Sequence, residues 1–64
     1  MFDTVTAVPA YGRDYRSAEA VRADWRAGKD FKCALTGRYL SERDMGGREV
    51  WVRYAKLTKT VKVQ

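Results

Sequence analysis

The sequence predicts a small α+β fold: one amphipathic helix packed on a small sheet, in the order β-α-β-(short helical turn)-β-β with a C-terminal hairpin. Three observations predict it. Ala18, Val21 and Trp25 recur at helical spacing behind a good capping serine. Residues 31–36 alternate apolar and polar. Residues 50–63 carry two β-branched sets of opposite parity, which only a reversal of the chain puts on one face.

Taken in order, residues 2–8 (Phe-Asp-Thr-Val-Thr-Ala-Val) are rich in β-branched types and stop at Pro9, so they read as a strand. Its facing stays open, because Phe2 and Val8 share one parity while Val5 and Ala7 share the other. Pro9 and Gly12 mark a loop. Ser17 suits an N-cap, since its hydroxyl accepts from a free backbone N–H of the first turn. Glu19 complements the positive end of the helix dipole. Gly28 supplies the left-handed residue that stops a helix, so the helix is expected over residues 18–27.

In 31–36, Phe31, Cys33 and Leu35 are expected to face the core, with Lys32, Ala34 and Thr36 outward. If this strand pairs with the first, the helix between them makes a right-handed crossover. Ser41 with Asp44 resembles a capping box and predicts one helical turn over 42–45, ending at Gly46-Gly47. For the hairpin, a loop at Lys56-Leu57-Thr58-Lys59 sets residue 54 against 61 and 52 against 63. All the apolar side chains then share a face. The loop holds no Gly, Asn or Asp, which predicts a four-residue loop built on a type I turn.

The 64 residues amount to a single domain, 1–64, marginal in stability because a chain this short buries a modest fraction of its surface. Cys33 is the sole cysteine and histidine is absent, which excludes an intrachain disulfide and argues against a zinc site. No cofactor is implied. Eight aromatics (Phe2, Tyr11, Tyr15, Trp25, Phe31, Tyr39, Trp51, Tyr54) argue for order. No apolar run approaches the ~20 residues of a membrane span. The N-terminus lacks the pattern of a signal peptide, so a reducing cytoplasm is expected.

The formal charge is +5, and it is unevenly spread. Residues 50–64 hold Arg53, Lys56, Lys59 and Lys62 and no acid. The expected hairpin register puts Arg53 opposite Lys62 and brings Lys56 and Lys59 to the ends of the loop, with Trp51 on the same outer face. Like charges set opposite one another concentrate positive potential on one ribbon. Three readings stand. The ribbon contacts phosphates, with Trp51 as a stacking platform. It meets an acidic protein partner. Or it is a solvated face kept charged against aggregation. Arg53, Lys56, Lys59, Lys62, Trp51 and Arg38 are the candidate nucleic-acid-binding residues. A free sheet edge also allows a homodimer.

The other motifs read as structure. Gly12-Arg13-Asp14-Tyr15 and Gly28-Lys29-Asp30-Phe31 repeat one pattern at the two helix ends. It suits turn chemistry followed by an aromatic anchor, although Arg13 or Lys29 is placed to meet an anion. Gly46-Gly47 lacks the context of a phosphate loop. Cys33 is expected to be an inert core thiol. With no histidine and scattered acids, no catalytic set is discernible, and the chain is read as a non-enzyme.

The stretches Val8-Pro9-Ala10-Tyr11-Gly12-Arg13-Asp14-Tyr15, Asp24-Trp25, Gly28-Lys29-Asp30-Phe31 and Val52-Arg53-Tyr54-Ala55-Lys56-Leu57-Thr58 together resemble small bacteriophage-encoded proteins of undefined activity. The resemblance implies a short accessory protein that binds a host or phage macromolecule in the host cell cytoplasm, and carries over no site residues. The expected function is therefore a non-catalytic binding protein that contacts nucleic acid through its basic hairpin. The alternative is an accessory factor that modulates or inhibits a host protein, with Trp51, Tyr39 and Tyr15 as its candidate aromatic anchors.

Overall fold

A computed structural model describes residues 4–64, so the expected strand positions at Phe2 and Asp3 lie outside the described residues. The fold is α+β. Five strands, β1 (Thr4–Pro9), β2 (Phe31–Cys33), β3 (Tyr39–Leu40), β4 (Glu49–Tyr54) and β5 (Lys59–Lys62), form a mixed sheet in the order β3-β2-β1-β4-β5. One helix, α1 (Ala18–Arg26), packs on one face. β1 runs antiparallel to β2 and parallel to β4. The expected crossover through the helix is thus corrected: α1 joins two antiparallel neighbours. The parallel partner of β1 arrives only after β2 and β3, which sequence parity has no means of signalling.

The helix forms as its ends dictate. Ser17 Oγ accepts from the Ala20 N–H at 3.2 Å. At the other end Gly28 takes φ +79. The Gly28 N–H then reaches the Trp25 carbonyl at 3.2 Å, and the Lys29 N–H reaches that of Asp24 at 3.0 Å. These are the two paired bonds of a Schellman stop. The buried face of α1, Val21 and Trp25, meets Ala7, Phe31, Val50, Val52, Tyr54 and Val61 from the sheet. Trp25 stands edge-on to Phe31, ring centroids 5.6 Å apart. Strand β1 resolves its open facing: Ala7 and Pro9 turn to this core, Thr4 and Thr6 away from it.

The repeated tetrapeptides close the core from above. Tyr15 stacks on Phe31, centroids 6.3 Å apart. Arg13 lies over the Phe31 ring at 5.2 Å and donates to the Asp30 carbonyl. Asp14 Oδ1 accepts from the Lys56 N–H at 3.0 Å. Each motif therefore performs turn and packing work. The Tyr15 phenol is pushed up to about 12, first by burial and then by its hydrogen bond to Asp24.

Strand β2 is shorter than expected. The chain turns after Cys33, with the Gly37 N–H bonded to the Cys33 carbonyl at 2.9 Å, and Leu35 ends 94% exposed rather than in the core. Cys33 is only half-buried, and its thiol is held below the usual range by hydrogen bonds from the Thr36 hydroxyl and the backbone of Thr36 and Leu35, so it is not the enclosed core thiol expected. After the unforeseen β3, Ser41 Oγ accepts from the Asp44 N–H at 3.1 Å, and the Met45 N–H bonds the Ser41 carbonyl at 3.0 Å. That is the single turn expected over 42–45.

The hairpin keeps the expected parity with a register slipped by two residues. Val52 faces Val61, Arg53 faces Thr60 and Trp51 faces Lys62, so the loop is Ala55–Thr58. Arg53 does not oppose Lys62. A β-bulge pins this register: the Val63 and Gln64 N–H groups both reach the Val50 carbonyl, at 2.9 and 3.3 Å, and the Val50 N–H returns to the Gln64 carbonyl at 2.7 Å. The bulge swings the Gln64 side chain inward, where Oε1 accepts from Trp25 Nε1 at 3.2 Å and Nε2 donates to the Met45 carbonyl. Trp25 is 2% exposed, so removing this partner orphans a buried donor. Gln64→Ala is expected to cost about 1–3 kcal/mol. A lowered urea midpoint at unchanged slope is the expected reading, and an unchanged midpoint counts against the bond.

The loop is not a type I turn. Ala55, Lys56 and Leu57 take φ of 51, 63 and 65, all left-handed and none a glycine. Each such residue costs roughly 1–2 kcal/mol against right-handed backbone. Leu57 is exposed, so Leu57→Gly should raise stability by about 0.5–1 kcal/mol once glycine's greater unfolded-state entropy is offset. Chemical denaturation checks this, and a fall in midpoint contradicts it.

Candidate nucleic-acid interface

Because α1 occupies one face, the other face of the sheet is free of α-helix among the described residues. Strand alternation decides what that face carries. The register sets Tyr39 beside Lys32 and Lys32 beside Val8, and one step beyond Ala7↔Val52 brings Arg53, then Thr60. A second row runs Thr6, Trp51, Lys62, and a third runs Thr4, Glu49. These are outward positions at every strand, since their chain neighbours Phe31, Ala7, Val52 and Val61 are buried.

A cleft of about 570 Å³ opens on this face. Its floor is Thr4, Thr6 and Trp51, one wall is the turn at Ala34 and Leu35 after β2, and the other is Arg53 and Thr60. The Ala34 N–H is bonded to the Thr6 carbonyl at 2.9 Å, which fixes the turn against β1. The result is an aromatic surface bordered by hydroxyls and one guanidinium.

The structure divides the six expected residues. Trp51, Arg53 and Lys62 share the outer face. Lys56 lies in the left-handed loop and Lys59 at the start of β5, both exposed at the hairpin end. Arg38 is exposed beyond β2, at the opposite side of the sheet. The basic residues therefore form no continuous strip. Nor is the ribbon without a carboxylate. Glu49 accepts from Trp51 Nε1–H and lies 3.9 Å from Lys62 Nζ. The expectation of an acid-free ribbon stopped one residue short of it. Glu49 fixes the indole orientation and partly offsets Lys62, which leaves Arg53 as the cation bordering the cleft.

Position in the sheet separates two of the earlier readings. Lys59 and Lys62 lie on an edge strand, where charge discourages strand addition. The edge has a further guard, since Arg22 Nε donates to the Lys62 carbonyl at 3.1 Å. Arg53 lies on β4, flanked on both sides, so edge protection does not account for it.

Residues that sequence reasoning missed are Thr4, Thr6, Thr60, Lys32 and Tyr11, while Tyr39 was expected only as an aromatic anchor for a protein partner. The alternation of β1 and β2 held a signal for Thr6 and Lys32, each next to a buried neighbour. Nothing local pointed to the two-residue strand that sets Tyr39 beside Lys32. Lys32 Nζ lies over the Tyr39 ring at 5.2 Å, and the Tyr39 and Tyr11 hydroxyls are hydrogen-bonded at 3.2 Å. That bond, with the Tyr39 and Asp30 charges, pushes the Tyr11 phenol up to about 12. Among the described residues no group of three or more Cys, Asp or Glu is placed to hold a metal ion. Among the described residues no helix is long and apolar enough to cross a membrane.

Comparison with known proteins adds no relative: no family model, curated protein or solved structure matches the chain.

Proposed function

We propose that the protein is a non-catalytic binding module whose outer sheet face and C-terminal hairpin take up single-stranded nucleic acid, in the role of a bacteriophage-type accessory factor acting in the host cytoplasm. The observation that carries this reading is Trp51, fixed by Glu49 in a cleft that Arg53 borders. An unpaired base has two free π-faces, and aromatic stacking of this kind is tolerant of sequence. A base in a duplex is already stacked and presents only its edges, which a cleft on a sheet face does not reach. Arg53 and Lys62 then meet phosphates on either side of the stacked base, with Lys56 and Lys59 extending positive charge past the hairpin end.

Salt dependence tests this. Single-strand binding loses about 0.7 log units of affinity per log unit of salt for each phosphate contacted. With Arg53, Lys62 and one loop lysine engaged, the slope is about −2. Fluorescence anisotropy with a labelled oligodeoxythymidylate across a salt series is expected to give that slope, reduced by about 0.7 in Arg53→Gln. Absence of binding at low salt to single-stranded DNA and RNA alike removes the proposal.

A second reading has its own observation. Leu35, 94% exposed, stands on the cleft wall, and an apolar side chain there suits a protein segment as a contact. In that case the module modulates a host protein. Retention of the partner after nuclease treatment, with its loss in Leu35→Asp, is the outcome that favours it.

A further inference from the structure

The exposed tyrosine pair at the far side of the outer face is unexplained by packing. Tyr11 is 74% exposed and Tyr39 55% exposed, so neither gains much from burial. Yet Tyr11 takes a left-handed φ of 65, unfavourable for a bulky side chain, and that backbone sets its hydroxyl 3.2 Å from that of Tyr39. A hydrogen bond between two solvated hydroxyls does little to offset the strain. Ordered aromatic surface held in solvent at a backbone cost is a mark of a contact site.

The surroundings name the contact. Tyr39 lies on the same outward row as Lys32, Val8, Arg53 and Thr60. That row crosses the sheet perpendicular to its strands, with Tyr39 on β3 and Arg53 on β4 three strand spacings away, about 14 Å. Lys32 stands between them on β2. The charged groups facing this path are Lys32, Arg53 and Lys62, opposed by Glu49 beside Trp51 and by Asp30 near Tyr11. Two aromatic platforms with cations between them match a chain whose flat groups alternate with anions.

We infer that Tyr39, braced by Tyr11, is a second stacking platform, and that a single strand of nucleic acid crosses the sheet from the Trp51 cleft to β3, with Lys32 on an intervening phosphate. This rests on the proposed function and adds to it a path and a length. The footprint is about four nucleotides, the lower end of the range for sheet-borne single-strand sites. From the hairpin and its Trp51 cleft the nucleic-acid strand then continues across the β-strands toward β3.

The test is a length series. Oligodeoxythymidylates and oligouridylates of two to ten residues are titrated against the wild type, Tyr39→Ala, Tyr39→Phe and Trp51→Ala, each first checked for an unchanged thermal melt. Affinity is expected to climb up to about four nucleotides and then to level. Tyr39→Ala should weaken the longer oligomers about tenfold and leave dinucleotides unaffected, while Tyr39→Phe keeps most of the affinity because the ring does the stacking. Trp51→Ala should weaken every length. If Tyr39→Ala binds like wild type at all lengths while Trp51→Ala is impaired, the second platform is wrong and the cleft stands. If the wild type binds neither polymer at low salt, both readings fail together.

Discussion

Trp25→Ala leaves the chain largely unfolded at 25 °C. The residue sits at the junction of three parts of the molecule, with its ring against Phe31, its flank among Val21, Val50 and Val52, and its N–H on Gln64. Truncating a buried tryptophan to alanine typically costs 3–5 kcal/mol, through lost transfer energy and the cavity left behind. A chain of this length has about 3–10 kcal/mol of stability to lose. Few side chains exist to collapse into the space, because the enclosed core consists of only a handful of residues, several of them valines. The expected reading is loss of the cooperative thermal transition and of near-ultraviolet circular dichroism. A melt within a few degrees of wild type would show that the helix–sheet contact is not the main source of stability.

The other tryptophan gives the opposite result. Trp51→Ala keeps the fold and loses the binding. Trp51 is on the helix-free face, half-buried in the cleft, and its indole N–H is satisfied by Glu49, also near the surface. Removing it leaves no enclosed cavity, so the expected change in stability is under about 1 kcal/mol. Base stacking on an aromatic platform is worth about 1–3 kcal/mol per base, so affinity for an oligonucleotide should fall by about 5-fold to 150-fold. Trp51→Phe should recover part of the loss, since the ring face remains. Anisotropy titrations of the two variants beside the wild type check this. Equal affinity in Trp51→Ala removes the stacking surface from the account.

The two tryptophans also mark how far the sequence is legible. Trp25 declares itself through local spacing with Ala18 and Val21, between the Ser17 cap and the Gly28 stop, and all of those signals lie within a dozen residues. The outer placement of Trp51 follows from its alternation with Val50 and Val52. What surrounds Trp51 does not, because the cleft is assembled from β1, the turn after β2 and β5, and their juxtaposition depends on the strand order. Parallel pairing of β1 with β4 joins segments some 45 positions apart in the numbering, as in Thr6↔Trp51.

Register fails for a related reason. A slip of two residues preserves every apolar facing, so Val52 against Val63 and Val52 against Val61 read alike in the sequence. The bulge at Val63–Gln64 and the Asp14 bond to Lys56 decide between them, and both are long-range. Alternation misled at Leu35 because it was extended through a turn that Gly37, at φ +73, closes. The slip also changes the electrostatics. Arg53 no longer faces a lysine, and Lys62 sits near Glu49, so the positive potential belongs less to a ribbon than to the face that Arg53 and Lys32 share.

The most direct measurement of the central claim is a two-dimensional 15N–1H spectrum of the protein titrated with a short single-stranded oligonucleotide. The Trp51 indole N–H and the amides around Thr6, Lys32 and Arg53 are expected to shift together. The Trp25 indole N–H and the exposed side of α1, on the far face of the sheet, should stay in place. Shifts confined to α1 or to the exposed edge of β5, or an unperturbed Trp51 indole at saturating oligonucleotide, would contradict it.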